Sequence, residues 1–296
     1  HIDRAPQHHL PAGGTERERR RRTGAGTQAK SDQDMADNHV YILFQASSGF
    51  LHNIYRNGDH DYHMTYSTDS PFATVGVVGA GAMGRGIAQL AVQAGCQVRL
   101  LDAQAGAAAA AQAAVVAQWQ HMAAKERISA AQAAAWAAQL QAVQELQALA
   151  DCTLVVEAIV ERLDAKQALL AELEALLAPD AVLATNTSSL SVTALAARMQ
   201  HPGRFAGLHF FNPAPVMKLV EIVPGLRTET SVCERLAALV RAMGHTPVRA
   251  QDTPGFIVNH AGRGYTTEAL RIVEEGVADY ATVDRILREQ AGFRLG

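Results

Sequence analysis

A short apolar run that ends in a glycine-rich turn constrains this chain more than any other feature. The segment TVGVVG, which begins at Thr74, is rich in β-branched residues and is typical of a buried strand. The next segment, AMGRGIAQLAVQAG, has helical spacing and stops at Gly95, a residue type that commonly ends helices. Gly79, Gly81 and Gly84 fall around this junction in the spacing G-x-G-x-x-G. A strand, a tight turn and a helix in this order predict the first unit of a parallel α/β sheet.

Strand-like and helical segments continue to alternate after this unit. The runs QVRLLD, CTLVVEA and AVLATN are short and apolar, and RLDAKQALLAELEALL lies between the last two as an amphipathic helix. The Ala/Gln-rich block from Ala103 to Ala150 favours helix, and the segment AAKERIS divides it into two helices, the second capped by Ser129. This alternation predicts an α/β fold with a Rossmann-type doubly wound sheet and an inserted helical hairpin.

The glycine spacing has a specific physical meaning at a strand-to-helix turn. Gly79 permits the tight turn, Gly81 lets a pyrophosphate approach the backbone, and Gly84 lets the helix pack closely on the strand. Ala82 and Met83 then open the helix, whose unpaired N–H groups and positive dipole end favour phosphate. We therefore expect residues 79–84 to bind a dinucleotide, although glycines at this spacing also occur in plain turns.

Asp102 ends the second predicted strand, about 20 residues after the glycines, where a carboxylate accepts hydrogen bonds from a ribose 2′-hydroxyl. The same charge repels a 2′-phosphate, and residues 103–105 contain no arginine to bind one. This pattern predicts NAD rather than NADP as the cofactor. The alternative is an exposed acid at a strand end without any ligand.

Composition argues against several other classes of partner. The formal net charge of −3 provides no basic surface for phosphates, so we expect no nucleic-acid partner. No uninterrupted apolar run reaches about 18 residues, so we expect no membrane span. Cys96, Cys152 and Cys233 lie far apart without a C-x-x-C pair, which favours buried thiols in a reducing cytoplasm and no metal site.

These patterns divide the chain into three parts of unequal length. Residues 1–70 contain seven of the twelve histidines and no sustained apolar period, so we expect a disordered or non-native tail. The arginine run at 19–22 also occurs in targeting signals, but nearby acidic residues disfavour that interpretation. We expect residues 71–251 to form the NAD-binding domain, and residues 252–296 to begin a helical C-terminal domain with two helices and no strand between them.

The segment GLHFFNPAPVMKLVEIV, residues 207–223, places two ionisable side chains among apolar strand residues. A turn at Asn-Pro-Ala-Pro would double the chain back and bring His209 and Glu221 onto neighbouring strands. Histidine suits proton exchange because its unperturbed pKa is about 6.5, and a carboxylate on the far ring nitrogen would fix its tautomer. Since hydride exchange with NAD requires a proton exchange, the segment predicts a catalytic His–Glu pair. The alternative is a histidine satisfied within the core.

Five motifs together resemble the L-3-hydroxyacyl-CoA dehydrogenases, including the bacterial 3-hydroxybutyryl-CoA type. They are, in chain order, VGVVGAGAMGRGIAQ, LVVEAIVE, ATNTSSLS, GLHFFNPAPVMKLVE and DTPGFIVN, and the resemblance spans residues 72–296. It implies reversible NAD-dependent oxidation of L-3-hydroxyacyl-CoA to 3-oxoacyl-CoA. It also implies an acyl-CoA substrate and a place in fatty acid metabolism and β-oxidation.

The resemblance implies roles for four catalytic positions. His209 matches the family's catalytic acid/base, and Glu221 matches its carboxylate partner. Ser188 matches the serine that hydrogen-bonds the substrate's 3-oxygen, and Asn259 matches the active-site asparagine. A second interpretation places Ser188 in a Ser/Thr-rich entry to a helix.

Three further positions match residues near the cofactor. Asn212 matches a position near the nicotinamide, and Glu161 and Lys166 match cofactor-contacting residues. Lys166 also fits an ordinary i,i+4 partner on a charged helix face. Lys125 and Arg127 lie at the predicted turn of the helical hairpin. The sequence leaves two interpretations open for them, a contact with CoA phosphates and a solvated turn.

The chain departs from the family at its C-terminus, where the helical domain is considerably shorter. We therefore expect an incomplete domain here and, for a full-length member, a homodimer built through that domain. Two alternative functions are an NAD-binding fragment without significant catalysis and a crystallin-like sugar-acid dehydrogenase of the same superfamily. A bifunctional hydratase–dehydrogenase is disfavoured because no room remains for a hydratase domain.

Overall fold

The computed structural model of the protein describes residues 70–293. Within this range the chain divides into two compact units, residues 70–261 and residues 262–293. The tail predicted for residues 1–70 lies outside the described residues, apart from position 70.

One sheet of eight strands organises the first unit. The strands are β1 (Thr74–Val78), β2 (Gln97–Leu101), β3 (Leu140–Val143), β4 (Leu154–Glu157), β5 (Val182–Thr185), β6 (Phe205–Phe210), β7 (Leu219–Pro224) and β8 (Thr246–Arg249). Their spatial order is β3-β2-β1-β4-β5-β6-β7-β8. The first six strands run parallel, whereas β7 runs antiparallel to β6 and β8 runs parallel to β7. Because the strand order reverses between β1 and β4, the carboxyl ends of these strands form the crevice where such sheets bind ligands.

Helices cover both faces of this sheet. They are α1 (Ala82–Gln93), α2 (Ala107–Ala124), α3 (Ala130–Gln139), α4 (Leu163–Leu176), α5 (Val192–Ala196) and α6 (Thr230–Ala242). One core cluster contains Ile87, Trp119 and Leu236 from α1, α2 and α6. A second cluster contains Leu170 and Leu195 from α4 and α5. Two helical layers on a mostly parallel sheet confirm the predicted doubly wound α/β fold.

The helical hairpin predicted for the Ala/Gln-rich block is confirmed, and Ser129 caps α3 as expected. The prediction of helix up to residue 150 was wrong, because residues 140–143 form β3, which pairs with β2. The sequence LQAV has a high helix propensity, but the Gln112 side chain on α2 binds the backbone of this segment. Its amide donates to the Leu140 oxygen at 2.6 Å and accepts from the Ala142 N–H at 3.2 Å. Tertiary pairing therefore overrides local propensity here.

Two helices, α7 (Val258–Glu274) and α8 (Tyr280–Glu289), follow the sheet, with no strand between them among the described residues. This confirms the prediction of two helices, but α7 begins only at Val258, after the predicted domain start at residue 252. Asp279 caps α8 by accepting a bond from the Thr282 N–H at 2.7 Å. Leu270, Val277 and Ile286 are exposed apolar side chains in this region.

Two general predictions can be compared with the described residues. Cys96, Cys152 and Cys233 are all free and buried, as expected. Within residues 70–293, no helix combines the length and apolar character that crossing a bilayer requires.

Candidate active site

The glycine turn between β1 and α1 leaves an open space beside the backbone. Gly79 has a φ of 104°, a conformation that favours glycine. A Cβ at Gly84 would lie 1.7 Å from the Gly79 carbonyl oxygen, so only glycine lets α1 pack this closely. A Cβ at Gly81, by contrast, would have no protein atom within 4 Å. The three glycines have the geometry predicted for them, and the space at Gly81 fits a pyrophosphate.

The first turn of α1 adds unpaired donors to this space. No side chain caps the helix at Gly81, and the Arg85 N–H donates to the Gly81 oxygen at 2.9 Å. The N–H groups of Ala82, Met83 and Gly84 precede this first helical bond. Unpaired N–H groups and the dipole at a helix N-terminus attract anions. This turn can therefore bind the phosphates of a dinucleotide without any basic side chain.

Asp102 lies beside the glycine turn, directly after β2. Its Oδ2 accepts a bond from the Ala80 N–H at 2.6 Å, and its Oδ1 accepts one from the Gln104 N–H at 2.8 Å. The side chain is half-buried. Two backbone amides thus fix a carboxylate at the edge of the phosphate-binding space, which suits a contact with a ribose hydroxyl. The residues present fit NAD.

His209 and Glu221 face each other across β6 and β7. They are register partners in this antiparallel pair, and Nδ1 of His209 lies 2.7 Å from Oε2 of Glu221. Both residues are buried, Glu221 completely. The rings of Phe211 and Phe256 flank the imidazole, with centroid separations of 4.4 Å and 5.5 Å. The strand pairing expected for the two residues is present.

The start of α7 holds the second oxygen of Glu221. Its Oε1 accepts bonds from the N–H groups of Ile257 and Val258, both at 2.9 Å. Gly255 and Phe256 have φ values of 79° and 48°, and the resulting turn directs the two amides at the carboxylate. A positive φ at a bulky residue such as Phe256 is strained, and strained residues cluster at functional sites. The strain lies where the chain fixes Glu221.

These bonds determine which ring nitrogen of His209 is free for chemistry. A carboxylate only accepts hydrogen bonds, so Nδ1 carries the hydrogen that faces Glu221. Nε2 then remains to accept or donate a proton. The carboxylate fixes this tautomer and would stabilise an imidazolium formed by proton transfer to Nε2. The pair therefore has the geometry of a general acid/base.

Glu161 organises the loop that contains Ser188. Its Oε1 accepts bonds from Thr187 Oγ1 at 2.6 Å and from the N–H groups of Ser188 and Ser189 at 2.8 Å and 3.1 Å. The Ser188 hydroxyl lies 3.3 Å from the same oxygen. Burial alone would raise the pKa of Glu161. The hydrogen bond from Thr187 and the positive charge of Lys166 together outweigh burial, so the pKa lies below its usual value. Ser188 does not cap α5, because Ser191 does.

Lys166 is almost fully buried between two acids. Its Nζ lies 2.6 Å from Glu157 Oε1 and 3.3 Å from Glu161 Oε2. Glu157 also accepts a bond from Thr185 Oγ1 at 2.6 Å. A partner on an exposed helix face would be solvated, so that interpretation of Lys166 was wrong. The cation instead links the end of β4 to the carboxylate that organises the Ser188 loop.

The remaining predicted residues lie in segments next to these groups. Asn212 is half-buried just after β6, and Asn259 is half-buried in the first turn of α7. Helix α1 packs on the turn that follows Asn212, since a Cβ at Gly86 would lie 3.0 Å from the Ala214 side chain. The turn at 125–127, considered for CoA phosphates, is exposed.

Sequence reasoning missed several polar residues that position the site. Asn186 follows β5, and its Oδ1 accepts a bond from the Phe210 N–H at 2.9 Å, next to His209. Glu157 ends β4, and Asp252 follows β8. Position is the available signal for Asn186 and Glu157, because a polar side chain at the carboxyl end of a buried parallel strand lies at the ligand-binding edge of the sheet. Asp252 has no such signal, since β8 runs antiparallel to β6 and is not buried.

Two family models match this chain. The model described as 3-hydroxyacyl-CoA dehydrogenase, NAD binding domain, matches residues 74–253. The model described as 3-hydroxyacyl-CoA dehydrogenase, C-terminal domain, matches residues 255–296. The first match covers more than half of the chain and agrees with the glycine turn and Asp102, so the cofactor is NAD.

Individual relatives agree with this match. The chain is 46% identical over 223 residues to the 3-hydroxyadipyl-CoA dehydrogenase of Escherichia coli (strain K12), which covers 75% of this chain and 47% of that protein. It is 36% identical over 222 residues to the 3-hydroxybutyryl-CoA dehydrogenase of Bradyrhizobium diazoefficiens, covering 75% and 76%. The crystal structure of (S)-3-hydroxybutyryl-CoA dehydrogenase from Ralstonia eutropha superimposes with a TM-score of 0.72 at 34% identity, covering 76% of this chain and 80% of that one.

The extent of these matches differs between relatives. The chain spans about half the length of the Escherichia coli protein but three quarters of the Bradyrhizobium protein. The sheet topology, the glycine turn and the family models agree along the described part of the chain. The chain therefore belongs to the 3-hydroxyacyl-CoA dehydrogenase family of NAD-dependent enzymes.

Proposed function

We propose that this chain catalyses the reversible NAD-dependent oxidation of L-3-hydroxyacyl-CoA to 3-oxoacyl-CoA. The observation that carries the proposal is the buried bond of 2.7 Å between His209 and Glu221. Because β1 and β6 run in the same direction within the parallel part of the sheet, their carboxyl ends lie at the same edge. The acid/base pair and the NAD-binding turn are therefore at one edge of the sheet, as hydride chemistry with a coupled proton transfer requires.

His209 is the proposed acid/base, and its Nε2 takes the proton of the 3-hydroxyl in the oxidation. Glu221 retains Nδ1–H and stabilises the imidazolium that results. NAD, when bound at the glycine turn, would accept the hydride that leaves C3 of the substrate. In the reverse direction, the imidazolium returns its proton to the 3-oxygen.

Ser188 and Asn259 are proposed to orient the substrate. A hydroxyl and an amide can both donate to the 3-oxygen, and their contribution is positioning rather than proton transfer. The half-buried state of both residues and the fixed Ser188 loop support this role. Asn212 is proposed to lie near the nicotinamide. Glu161 and Lys166 are proposed to contact the cofactor, in addition to the contacts they make within the protein.

The proposed substrate class is an acyl-CoA thioester. The names of the Escherichia coli and Bradyrhizobium relatives refer to 3-hydroxyadipyl-CoA and 3-hydroxybutyryl-CoA, which share the 3-hydroxyacyl-CoA group. We propose a role in fatty acid metabolism of the β-oxidation type on this basis.

A substrate comparison tests the proposal. The protein should oxidise NADH with acetoacetyl-CoA and should not turn over a sugar acid with NAD. Turnover of the sugar acid alone would favour the alternative dehydrogenase class. Tight NADH binding without turnover of either substrate would indicate a binding fragment.

We also propose a cytoplasmic location and a homodimer for the family member of full length. Three free, buried thiols support a reducing compartment. The exposed apolar side chains Leu270, Val277 and Ile286 on the C-terminal helices and their connection support an interface there. Cell fractionation and size-exclusion chromatography with light scattering would test the two statements separately.

A further inference from the structure

Asp252, directly before the turn that leads to α7, accepts three hydrogen bonds from another segment. Its Oδ2 accepts from the Ser191 hydroxyl and the Thr193 N–H, both at 2.8 Å, and its Oδ1 accepts from the Val192 N–H at 2.9 Å. These donors lie about 60 residues earlier in the chain. The carboxylate therefore links the start of α5 to the segment that follows β8.

Each of the two linked segments carries residues of the proposed active site. Ser188 lies three residues before Ser191, in the loop that Glu161 organises. Four residues after Asp252, the ring of Phe256 packs on the imidazole, and the next two amides bind Glu221. The Asp252 carboxylate thus connects the end of the serine loop to the segment that contains Phe256 and binds Glu221.

Helix capping does not account for Asp252 by itself. The helix α5 has only five residues, and the Ser191 hydroxyl already caps it by accepting from the Ala194 N–H at 3.2 Å. Burial raises the pKa of Asp252, but its bonds from Thr193, Ser191 and Val192 lower that pKa below the usual value. All three partners donate to it, so an acceptor-only carboxylate matches this position.

We propose that Asp252 is a positioning residue, which sets the distance between Ser188 and His209 by fixing the serine loop against the Phe256 turn. This inference rests on the proposed function for its kinetic consequences. Its structural consequence does not, because the link between the two segments exists whether or not the chain turns over substrate. A displaced serine would hold the 3-oxygen out of line with Nε2, and misplacement by about 1 Å can cost on the order of a hundredfold in rate.

The test compares Asp252→Asn with a matched control, Glu174→Gln. In Asn, the amide NH₂ group would face backbone donors, so at least one bond is lost. Glu174 also accepts two backbone amides, those of Gln200 and His201, at 2.8 Å and 2.7 Å. It lies in the last turn of α4, which runs back toward the opposite edge of the sheet. Both variants lose carboxylate-to-amide bonds of the same kind, but only one of the carboxylates joins the site segments.

Hydrogen exchange provides a readout that does not depend on activity. Asp252→Asn should speed amide exchange in residues 187–193 and also in residues 255–259, whereas Glu174→Gln should speed it only around residues 199–202. Faster exchange in residues 187–193 alone would reduce Asp252 to a local cap and overturn the proposal. The exchange rates can be measured even if the wild-type chain turns over neither substrate. A failure of the positioning role is therefore distinguishable from a failure of the proposed function.

Kinetics in two backgrounds provide the second readout. Asp252→Asn should lower kcat with acetoacetyl-CoA by about tenfold to a hundredfold and leave the Kd of NADH unchanged. The same change in a Ser188→Ala background should lower kcat little further, although Tm falls equally in both backgrounds. Equal kcat losses in both backgrounds would contradict the proposal, as would an unchanged kcat. If Asp252→Asn does not fold, Ser191→Ala removes one of the three bonds and is subjected to the same comparisons.

Discussion

The glycine turn depends on the absence of side chains, whereas the His209–Glu221 pair depends on side chains that are bonded to each other and to the backbone. Gly84 has no room for a Cβ, and Gly81 has open space where one would lie. Glu221 has both oxygens bonded, one to His209 and the other to two backbone amides. The turn should therefore be sensitive to atoms that are added, and the pair to atoms that are removed.

The two regions also differ in how many segments build them. The turn comes from one continuous stretch, residues 74–93, with Asp102 and the backbone of Ala158 beside it. The pair comes from β6 and β7 and is held by amides at the start of α7, some 36 residues further along the chain. A region built from one stretch is fixed by local geometry, whereas the other depends on how distant segments meet.

Removing the acid/base should produce the largest effect. His209→Gln should lower kcat by about 10²–10⁴-fold, because proton transfer to and from the 3-oxygen is lost. The Kd of NADH should stay close to the wild-type value, since the glycine turn is built from other strands. Steady-state kinetics with acetoacetyl-CoA and a fluorescence titration with NADH check both statements. Activity above about a tenth of the wild-type level would show that His209 is not the acid/base.

Adding one methyl group at the turn should produce two different results at two glycines. Gly84→Ala should destabilise the fold by about 3 kcal/mol or more, because its Cβ would overlap a backbone oxygen that cannot move freely. Gly81→Ala should leave the free energy of unfolding unchanged, yet weaken NADH binding by about tenfold, or about 1.4 kcal/mol. Urea unfolding and an NADH titration separate the two effects. Equal losses of stability would mean that the space at Gly81 is not open.

Removing the carboxylate beside the turn should change cofactor choice rather than stability. Asp102→Ala should narrow the preference for NADH over NADPH, because the ribose contact and the charge that repels a 2′-phosphate vanish together. The ratio of kcat/KM values for the two cofactors measures this preference. An unchanged ratio would show that Asp102 does not contact the ribose.

The smallest expected effect is a pH-dependent change in the free energy of unfolding when the Asp252 carboxylate is removed. The folded pKa of Asp252 lies below its usual value, so its bonds contribute fully above the unfolded pKa of about 3.9. That contribution is lost as the pH falls through the lower folded pKa. Asp252→Asn should therefore be less stable than wild type by about 1 kcal/mol near neutrality.

The pH series has an internal control. The stability difference between wild type and Asp252→Asn should shrink below about pH 4. Gly81→Ala changes no ionisable group, so its difference from wild type should stay constant over the same series. Urea unfolding at successive pH values measures both. A difference for Asp252→Asn that does not depend on pH would show that its carboxylate charge contributes nothing.

The contrast between the regions explains what the sequence could predict. The glycine turn was predictable because each glycine meets a steric requirement set by neighbouring residues in the sequence. The strand pairing of His209 with Glu221 was predictable because a short turn joins two apolar strands. The hydrogen bonds of Asp252 and Asn186 could not be predicted, since their partners lie 60 and 24 residues away and depend on how the segments meet. The strand β3 was missed for the same reason, because pairing with β2 outweighs the helix propensity of its residues.

The measurement that tests the central claim most directly is a double-mutant cycle on kcat at His209 and Glu221. If the two side chains form one acid/base unit, Glu221→Gln should lower kcat on its own. In a His209→Gln background the same change should lower kcat by no more than about twofold, because effects within one catalytic unit are not additive. NADH affinity and Tm, measured on all four proteins, ensure that the comparison concerns folded, cofactor-binding enzymes. Equal losses of kcat from Glu221→Gln in both backgrounds would contradict the account, since the carboxylate would then act independently of the histidine.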